Sequence, residues 1–214
     1  MFVLLLIAAL SPWVLADSIT HKNQYINVQY EPTLTRAERQ QTYTWLQQVS
    51  NALLTVYGVW PKDIFNIKIQ HSSNRDSPVP WGQVNRGNPN TIALTINPDF
   101  DLRDFSQDWT AYHELSHLFI PYQGHGDLWF SEGLASYYQN IIQARSGLLS
   151  EVGLWGNLAN GFARGRQQNT YSHLPLAEIS DHMGRYRNFM RVHWTGVHYW
   201  LTADMVLRQQ SQNK

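Results

Sequence analysis

The sequence contains no cysteine in its 214 residues. Disulfide bonds and thiolate metal ligands are therefore excluded, and any metal site must use His, Asp, Glu or water. A surplus of charge of one sign is also missing, because 16 basic residues balance 16 acidic ones and neither forms a long block. The composition therefore gives no indication of a nucleic-acid partner.

Long apolar runs are scarce as well. The N-terminal run, residues 2–10, is shorter than the roughly 20 residues that cross a bilayer as a helix. It is followed by Ser-Pro and by Val14-Leu15-Ala16, which has small residues where a signal peptidase cuts. We expect residues 1–16 to be a signal peptide and the mature protein to be periplasmic or secreted, with no stable membrane span. An uncleaved anchor and a buried first helix are the alternatives.

Residues 17–100 predict a small mixed sheet with one helix. The helix is expected to open with a capping box formed by Thr35 and Glu38 and to end at Gly58. Alternating apolar residues predict four strands, at 24–31, 63–70, 81–86 and 91–96.

From residue 101 the apolar period changes from two to about 3.6, which predicts a helical part over 101–214. One helix is expected to have Ser106 as its N-cap and to stop at Pro121. Asp127 is expected to cap a second helix, which ends near residue 146. Residues 17–214 are therefore predicted to be a single α+β domain.

The segment HELSH, residues 113–117, falls in the first of these helices. Residues four apart on a helix lie one above the other, so His113 and His117 can each give a ring nitrogen to one ion. Glu114 is rotated by about 100° from His113, which lets it reach a water on the metal without binding the metal. The spacing predicts two zinc ligands and a general base.

A catalytic zinc takes three protein ligands and keeps a fourth position for water. Glu132 lies in the early turns of the second helix, and an αα-hairpin can bring it back toward the two histidines. His125, in the intervening loop, is the competing third ligand, because three histidines suit zinc equally well. A buried aromatic helix pair with satisfied polar groups is the structural alternative.

HELSH followed by WFSEGLASYY resembles the gluzincins, zinc peptidases with HExxH and a downstream ligand glutamate, and is most similar to the glycyl aminopeptidase family. The resemblance covers about residues 81–208. It implies a zincin-like fold, a peptide or protein substrate, and one Zn²⁺ ion per chain bound by His113, His117 and Glu132. Glu114 would activate the zinc-bound water.

In that family an edge strand upstream of the metal helix holds the substrate backbone. The resemblance places this strand at residues 81–86, with Gly82, Gln83 and Asn85 as the substrate-binding residues. Pairing of an extended peptide with free backbone groups supports such a role. For Trp81 and Val84, packing in the core is the alternative.

The family's late helix carries a tyrosine near a glycine, and this tyrosine donates a hydrogen bond to the developing oxyanion. Here His193 stands at that place, ahead of Gly196. We expect His193 to be the transition-state donor, with His198 and Tyr186 as alternatives. Replacement of the tyrosine would also suit a catalytically inactive relative that keeps zinc for structure or binds peptides.

Each ligating histidine also needs an acceptor for its second ring nitrogen. Asp101, Asp104 and Asp204 are candidates, although Asp204 could equally be an exposed helix residue beside Arg208. Nine Trp and eleven Tyr allow a carbohydrate- or envelope-binding module as a further alternative. The sequence carries no signature of oligomeric state or of exopeptidase against endopeptidase action.

Overall fold

The computed structural model describes residues 14–212, except for the side chains of residues 14–16 and 125. Five strands form one mixed sheet in the order β1-β2-β3-β5-β4. The two outer pairs, β1–β2 and β4–β5, are antiparallel, and the inner pairs are parallel. The strands are β1 (Val14–His21), β2 (Gln24–Tyr30), β3 (Ile64–His71), β4 (Trp81–Asn85) and β5 (Asn90–Ile96).

Helix α1 (Arg36–Tyr57) crosses over the sheet between the parallel strands β2 and β3. The predicted capping box is confirmed, since the Thr35 hydroxyl accepts from the N–H of Glu38 and the Glu38 carboxylate accepts from the N–H of Thr35. Gly58 ends the helix at a φ of 70°, a left-handed conformation that glycine adopts without strain. Local sequence signals therefore fix both ends of this crossover.

Seven further helices follow in the described part of the chain. They are α2 (Leu102–Gln107), α3 (Thr110–Ser116), α4 (Leu128–Arg145), α5 (Glu151–Gln167), α6 (Leu176–Asp181), α7 (Met183–Tyr186) and α8 (Phe189–Ser211). The predicted α+β class is thus confirmed, with the sheet in the first half of the chain and helices in the second. Strands β2 and β3 alternate buried residues with more exposed ones, as their sequences predict, so one face of each strand is buried in the core.

The helix predicted to open at Ser106 is broken in two. Ser106 lies inside α2, where its hydroxyl donates to the carbonyl of Leu102 at 2.7 Å, so it cannot cap the next helix. The N-cap of α3 is Trp109, and the carboxylate of Asp108 just before it accepts from the N–H of Thr110 at 2.7 Å. HELSH, predicted to fall in this helix, extends past its end, because α3 ends at Ser116 and a 3₁₀ turn, His117–Phe119, continues the chain.

The main hydrophobic core lies between the sheet and helices α1 and α3. Phe65, Ile67 and Ile69 of the central strand β3 are fully buried there, together with Tyr112 of α3. A second, smaller cluster joins α4, α5 and α8, with Tyr137, Leu158, Trp194 and Val197 at its centre. Helix α3 thus belongs to the main core, whereas α4 also takes part in the smaller one.

Helices α4 and α8 cross with their backbones in direct contact. A Cβ added at Gly133 would collide with the backbone of Gly196, and one added at Gly196 would collide with the carbonyl of Trp129. Glycine at both positions is therefore required for this close approach. The crossing sets His193, one turn before Gly196, beside the residues that follow Trp129 on α4.

Among residues 14–212, no helix is both long and apolar enough to cross a bilayer. The predicted signal peptide lies largely outside the described residues. Its last three residues form the start of β1, whose Val14 pairs with Tyr30 of β2. Export therefore stays a prediction.

Candidate metal centre

The edge strand β4 and helix α3 place Glu114. The backbone N–H of Val84 donates to the Glu114 carboxylate, and a Cβ at Gly82 would lie 2.6 Å from the Glu114 Cγ. A side chain at position 82 would therefore displace the carboxylate. Gly82 thus allows Glu114 to lie directly against the strand.

His113, His117 and Glu132 come together as predicted. Their candidate ligand atoms all lie within 4.8 Å of one another. The Oε2 atom of Glu132 is 3.1 Å from Nε2 of His113 and 3.6 Å from Nε2 of His117. Both histidines are buried, at 5% and 6% exposure, so the group is closed to solvent on the side of α3.

The second nitrogen of each histidine is bound by a neutral side chain of α4. The Nδ1 atom of His113 lies 2.9 Å from the Oε1 of Gln139, and the Nδ1 of His117 lies 3.2 Å from the hydroxyl of Ser131. Because an amide oxygen only accepts, a bond to the Gln139 oxygen needs the proton on Nδ1 of His113, and the neutral ring then has its lone pair on Nε2. This leaves the Nε2 atom of His113 available to bind a cation.

The predicted aspartate acceptors do not orient the histidines. Asp101 and Asp104 cap α2 by reciprocal hydrogen bonds. Asp204 accepts from Tyr137 and from Arg208 at 2.8 and 2.7 Å, which confirms its alternative role. The sequence prediction missed Gln139, although it lies two helical turns after Glu132 and therefore on the same face of α4.

Burial and charge act in opposite directions on the ionisable groups of the cluster. Burial raises the pKa of Glu132, but hydrogen bonds from His113 and His117 outweigh it and hold the pKa well below its usual range. Burial also lowers the pKa of His113, yet the bond and charge of Glu132 make the net shift upward. Glu132 is therefore an anion that attracts positive charge to this point.

The arrangement fits a divalent cation. Nε2 of His113 lies 3.1 Å from Oε2 of Glu132, so without an ion a proton on Nε2 bonds to the carboxylate. A bound cation would take the place of that proton, because metal-ligating histidines are neutral. Two imidazoles and one carboxylate are a donor set that zinc binds in catalytic sites.

His193 approaches the same cluster from α8. Its Nε2 atom lies 3.7 Å from Oε2 of Glu132, and its ring stacks on that of His113 at 6.1 Å between centroids. Burial lowers its pKa to about 4, so the ring is neutral near pH 7. His193 does not belong to the group of three whose ligand atoms lie within 4.8 Å of one another.

The alternative donors lie elsewhere. His198 is exposed on α8 and contacts Phe162, and the hydroxyl of Tyr186 donates to the Glu178 carboxylate at 3.3 Å. The side chain of His125, the alternative third ligand, lies outside the described part of the structure. Of the proposed donors, His193 is the one that the fold brings to the cluster.

Two cavities border the cluster. A cleft of about 330 Å³ is lined by Gly82 and Gln83 of β4 together with Glu114 and Glu132. A cavity of about 470 Å³ borders His193 and Gln139 between α4, α5 and α8. The cleft thus combines the edge strand, the general-base candidate and the metal-ligand candidates.

Two of the three predicted substrate-binding residues line the cleft. Gly82 and Gln83 line the cleft, whereas Asn85 is exposed and does not. Of the two neighbours with an alternative core role, Val84 packs partly against the main core and Trp81 is 45% exposed. Strand β4 is an edge strand, as expected, because β5 is its one partner in the sheet.

Residues 119–206 match the family model of the M61 glycyl aminopeptidases. The predicted resemblance to that family is thereby confirmed for this segment, which is less than half of the chain. The match includes Glu132 and His193 but begins two residues after His117. No curated protein sequence is significantly similar to the chain.

Solved structures extend the comparison to the fold. An aminopeptidase N family protein from Idiomarina loihiensis aligns with 94% of this chain at a TM-score of 0.60 and 13% identity. An M1 zinc metallopeptidase from Deinococcus radiodurans aligns with 71% of the chain at 18% identity, but its TM-score of 0.40 is too low to support an argument. The chain spans 38% of the first protein and 32% of the second. The first alignment shows that the fold is shared with part of an aminopeptidase N family protein.

Proposed function

We propose that the protein is an exported metallopeptidase that hydrolyses peptide bonds with the help of one Zn²⁺ ion. The observation that carries the proposal is the convergence of His113, His117 and Glu132 beside a cleft that also contains Glu114. Zinc in such sites acts as a Lewis acid toward the scissile carbonyl and lowers the pKa of bound water. His113, His117 and Glu132 are the residues that would hold it.

Glu114 has the environment of a general base. Burial raises its pKa, and the charges of His113 and His117 only partly oppose that shift. A carboxylate with a raised pKa is better suited to take a proton from water and then to give it to the leaving amine. The hydrogen bond from Val84 holds the carboxylate at the edge strand, where an extended peptide would lie.

His193 supports the proposal as a neutral donor. Because its pKa is lowered to about 4, it donates as an imidazole rather than as an imidazolium near pH 7. The hydroxyl of Ser136 lies 3.4 Å from its Nδ1 atom. When Ser136 donates to Nδ1, the ring proton is on Nε2, which faces Glu132 and can bind a developing oxyanion.

The first test is the zinc content of the purified protein by elemental mass spectrometry. We expect one zinc per chain in the wild type and its loss in the His117→Ala and Glu132→Ala variants. Glu114→Gln should keep the zinc and the fold but lower peptide hydrolysis by about 10²–10⁴-fold, the usual contribution of a general base. Wild-type turnover in Glu114→Gln, or no zinc after purification without chelator and reloading, would refute the proposal.

Zinc bound without turnover on any peptide library would instead support the alternative of an inactive relative. In that case His193, which stands where the family has a tyrosine, is the first residue to change. His193→Tyr would then be expected to give measurable hydrolysis, because a phenol can donate to the oxyanion from the same helix.

A further inference from the structure

The cleft contains one fixed cationic side chain, Arg86, directly after strand β4. Its Nη2 donates to the carbonyl of His117 at 3.0 Å and its Nη1 donates toward the carbonyl of Ile120 at 3.3 Å. Both acceptors belong to the segment that follows HELSH. The guanidinium is therefore held in place at the wall of the cleft.

Arg86 has no carboxylate partner within ion-pair distance among the described residues. The two carboxylates that line the same cleft are engaged elsewhere. Glu132 is bound by histidines, and Glu114 accepts from the backbone of Val84. The positive charge of Arg86 is therefore not neutralised by an ion pair within this part of the protein.

A guanidinium carries five N–H donors in a plane, and its two carbonyl acceptors leave several of them unused. Hydrogen bonds from a guanidinium to a carboxylate are about twice as strong as neutral ones. Because the group is already fixed by the protein, little conformational entropy is lost when it binds a ligand. A bound divalent cation would make the cleft still more attractive to anions.

We propose that Arg86 is a specificity-determining residue that binds a carboxylate of the peptide substrate. The inference rests on the proposed peptidase function and names the substrate class for the same cleft. The carboxylate can come from an acidic side chain or from the peptide's C-terminus, and both present the same two oxygens to the guanidinium.

The test is a binding measurement on the Glu114→Gln protein, in which bound peptide is not consumed. Calorimetry would compare C-terminally amidated peptides that carry Glu or Gln at each position in turn, and then a neutral peptide as free acid and as amide. We expect one carboxylate form to bind about tenfold more tightly than its amide. Which pair shows the difference identifies the source of the carboxylate.

The matched variants decide whether Arg86 causes the preference. Arg86→Gln should reduce the ratio to about one, and Arg86→Lys should keep part of it as a point charge without the planar fork. Arg36→Gln removes the same charge from an exposed position at the first turn of α1 and should keep the full ratio. A ratio that persists in Arg86→Gln, or no preference in the parent protein, overturns the proposal.

A second measurement tests the proposal if Arg86→Gln does not fold because it loses the bonds of Arg86 to the carbonyls of His117 and Ile120. In the parent protein, raising NaCl from about 0.1 M to about 1 M shortens the Debye length from about 10 to about 3 Å and should reduce the carboxylate preference. A salt-independent ratio contradicts the proposal. These experiments measure binding and not cleavage. A protein that binds carboxylate peptides without cleaving them would therefore contradict the proposed peptidase function but not the role of Arg86.

Discussion

The two hydrophobic clusters of the molecule differ greatly in size. The sheet, α1 and α3 bury a large continuous core, whereas the cluster between α4, α5 and α8 has four buried residues at its centre. Helix α5 leaves Val152 83% exposed and Trp155 50% exposed. Helix α3 and the turn after it, which carry His113, Glu114 and His117, therefore pack in the larger core. Glu132 and His193 lie on α4 and α8, which form the smaller cluster. The stability of the protein and the assembly of the site are therefore separable.

The largest expected effect comes from the main core. Phe65→Ala removes a fully buried ring from the central strand and should lower the free energy of unfolding by about 3–5 kcal/mol. Leu158→Ala, in the smaller cluster, should cost less, about 2 kcal/mol. Urea unfolding measures both values, and hydrogen exchange should show that Leu158→Ala exposes α5 and α8 before β3. If both variants lost the same free energy of unfolding and all amides of Leu158→Ala exchanged together, the distinction between the two clusters would be wrong.

The helix crossing gives the next largest effect. Gly196→Ala places a methyl group against the carbonyl of Trp129 and should cost about 1–3 kcal/mol by overpacking. Zinc binding should persist because the three proposed ligands lie on α3, the following turn and α4, while the proposed peptide hydrolysis should fall as His193 moves. Gly156→Ala is the control, since a Cβ there meets nothing within 4 Å and alanine favours the helix. Unchanged stability and hydrolysis in Gly196→Ala would show that α8 does not depend on this contact.

A smaller effect is expected where α4 orients a ligand of α3. Gln139→Leu removes the acceptor at Nδ1 of His113 and should weaken zinc binding by about 10–100-fold, as is usual for such supporting groups. Chelator competition measures the affinity. Gln47→Leu, at an exposed position of α1, should leave it unchanged. Equal zinc affinity in the two variants would mean that α4 contributes only Glu132.

The smallest effect concerns Asp204 at the outer side of α8. Partial burial raises its pKa, but the hydrogen bonds from Arg208 and Tyr137 outweigh this, so the folded pKa is lower than the unfolded one. The stabilisation is therefore present above about pH 4 and is lost as the pH falls through the folded pKa. Asp204→Asn should cost less than about 1 kcal/mol at pH 7, as is usual for an exposed pair, and the difference should shrink below pH 4. Thermal melting across this pH range detects it, and a pH-independent difference would contradict the assignment.

The features predicted correctly from sequence depend on short-range patterns. The capping box at Thr35, the end of α1 at Gly58 and the four strands follow from neighbouring residues. The meeting of Glu132 with HELSH was also predictable, because Pro121 and a short loop allow little besides a hairpin. Strand β1 was not predicted, because its first residues overlap the segment that has the pattern of a signal peptide.

The features that were missed depend on contacts between distant segments. Ser106 is a good N-cap by residue type, but its hydroxyl donates to Leu102 and Gln48. Ser131 and Gln139 orient the histidines across the hairpin, and Arg86 reaches the segment after HELSH from β4. Only the spacing of Gln139 from Glu132 gave a signal; the other partnerships required the fold itself.

Gly82 shows why an intact motif is not proof of activity when chains of this kind are sorted from genomes. A valine at that position would leave every letter of HELSH and the downstream glutamate unchanged. It would nevertheless displace the carboxylate of Glu114 from the strand, since the space for a Cβ is already filled. A survey that asks for a small residue at this strand position, as well as for the motif, would select the chains in which Glu114 has room for its proposed role.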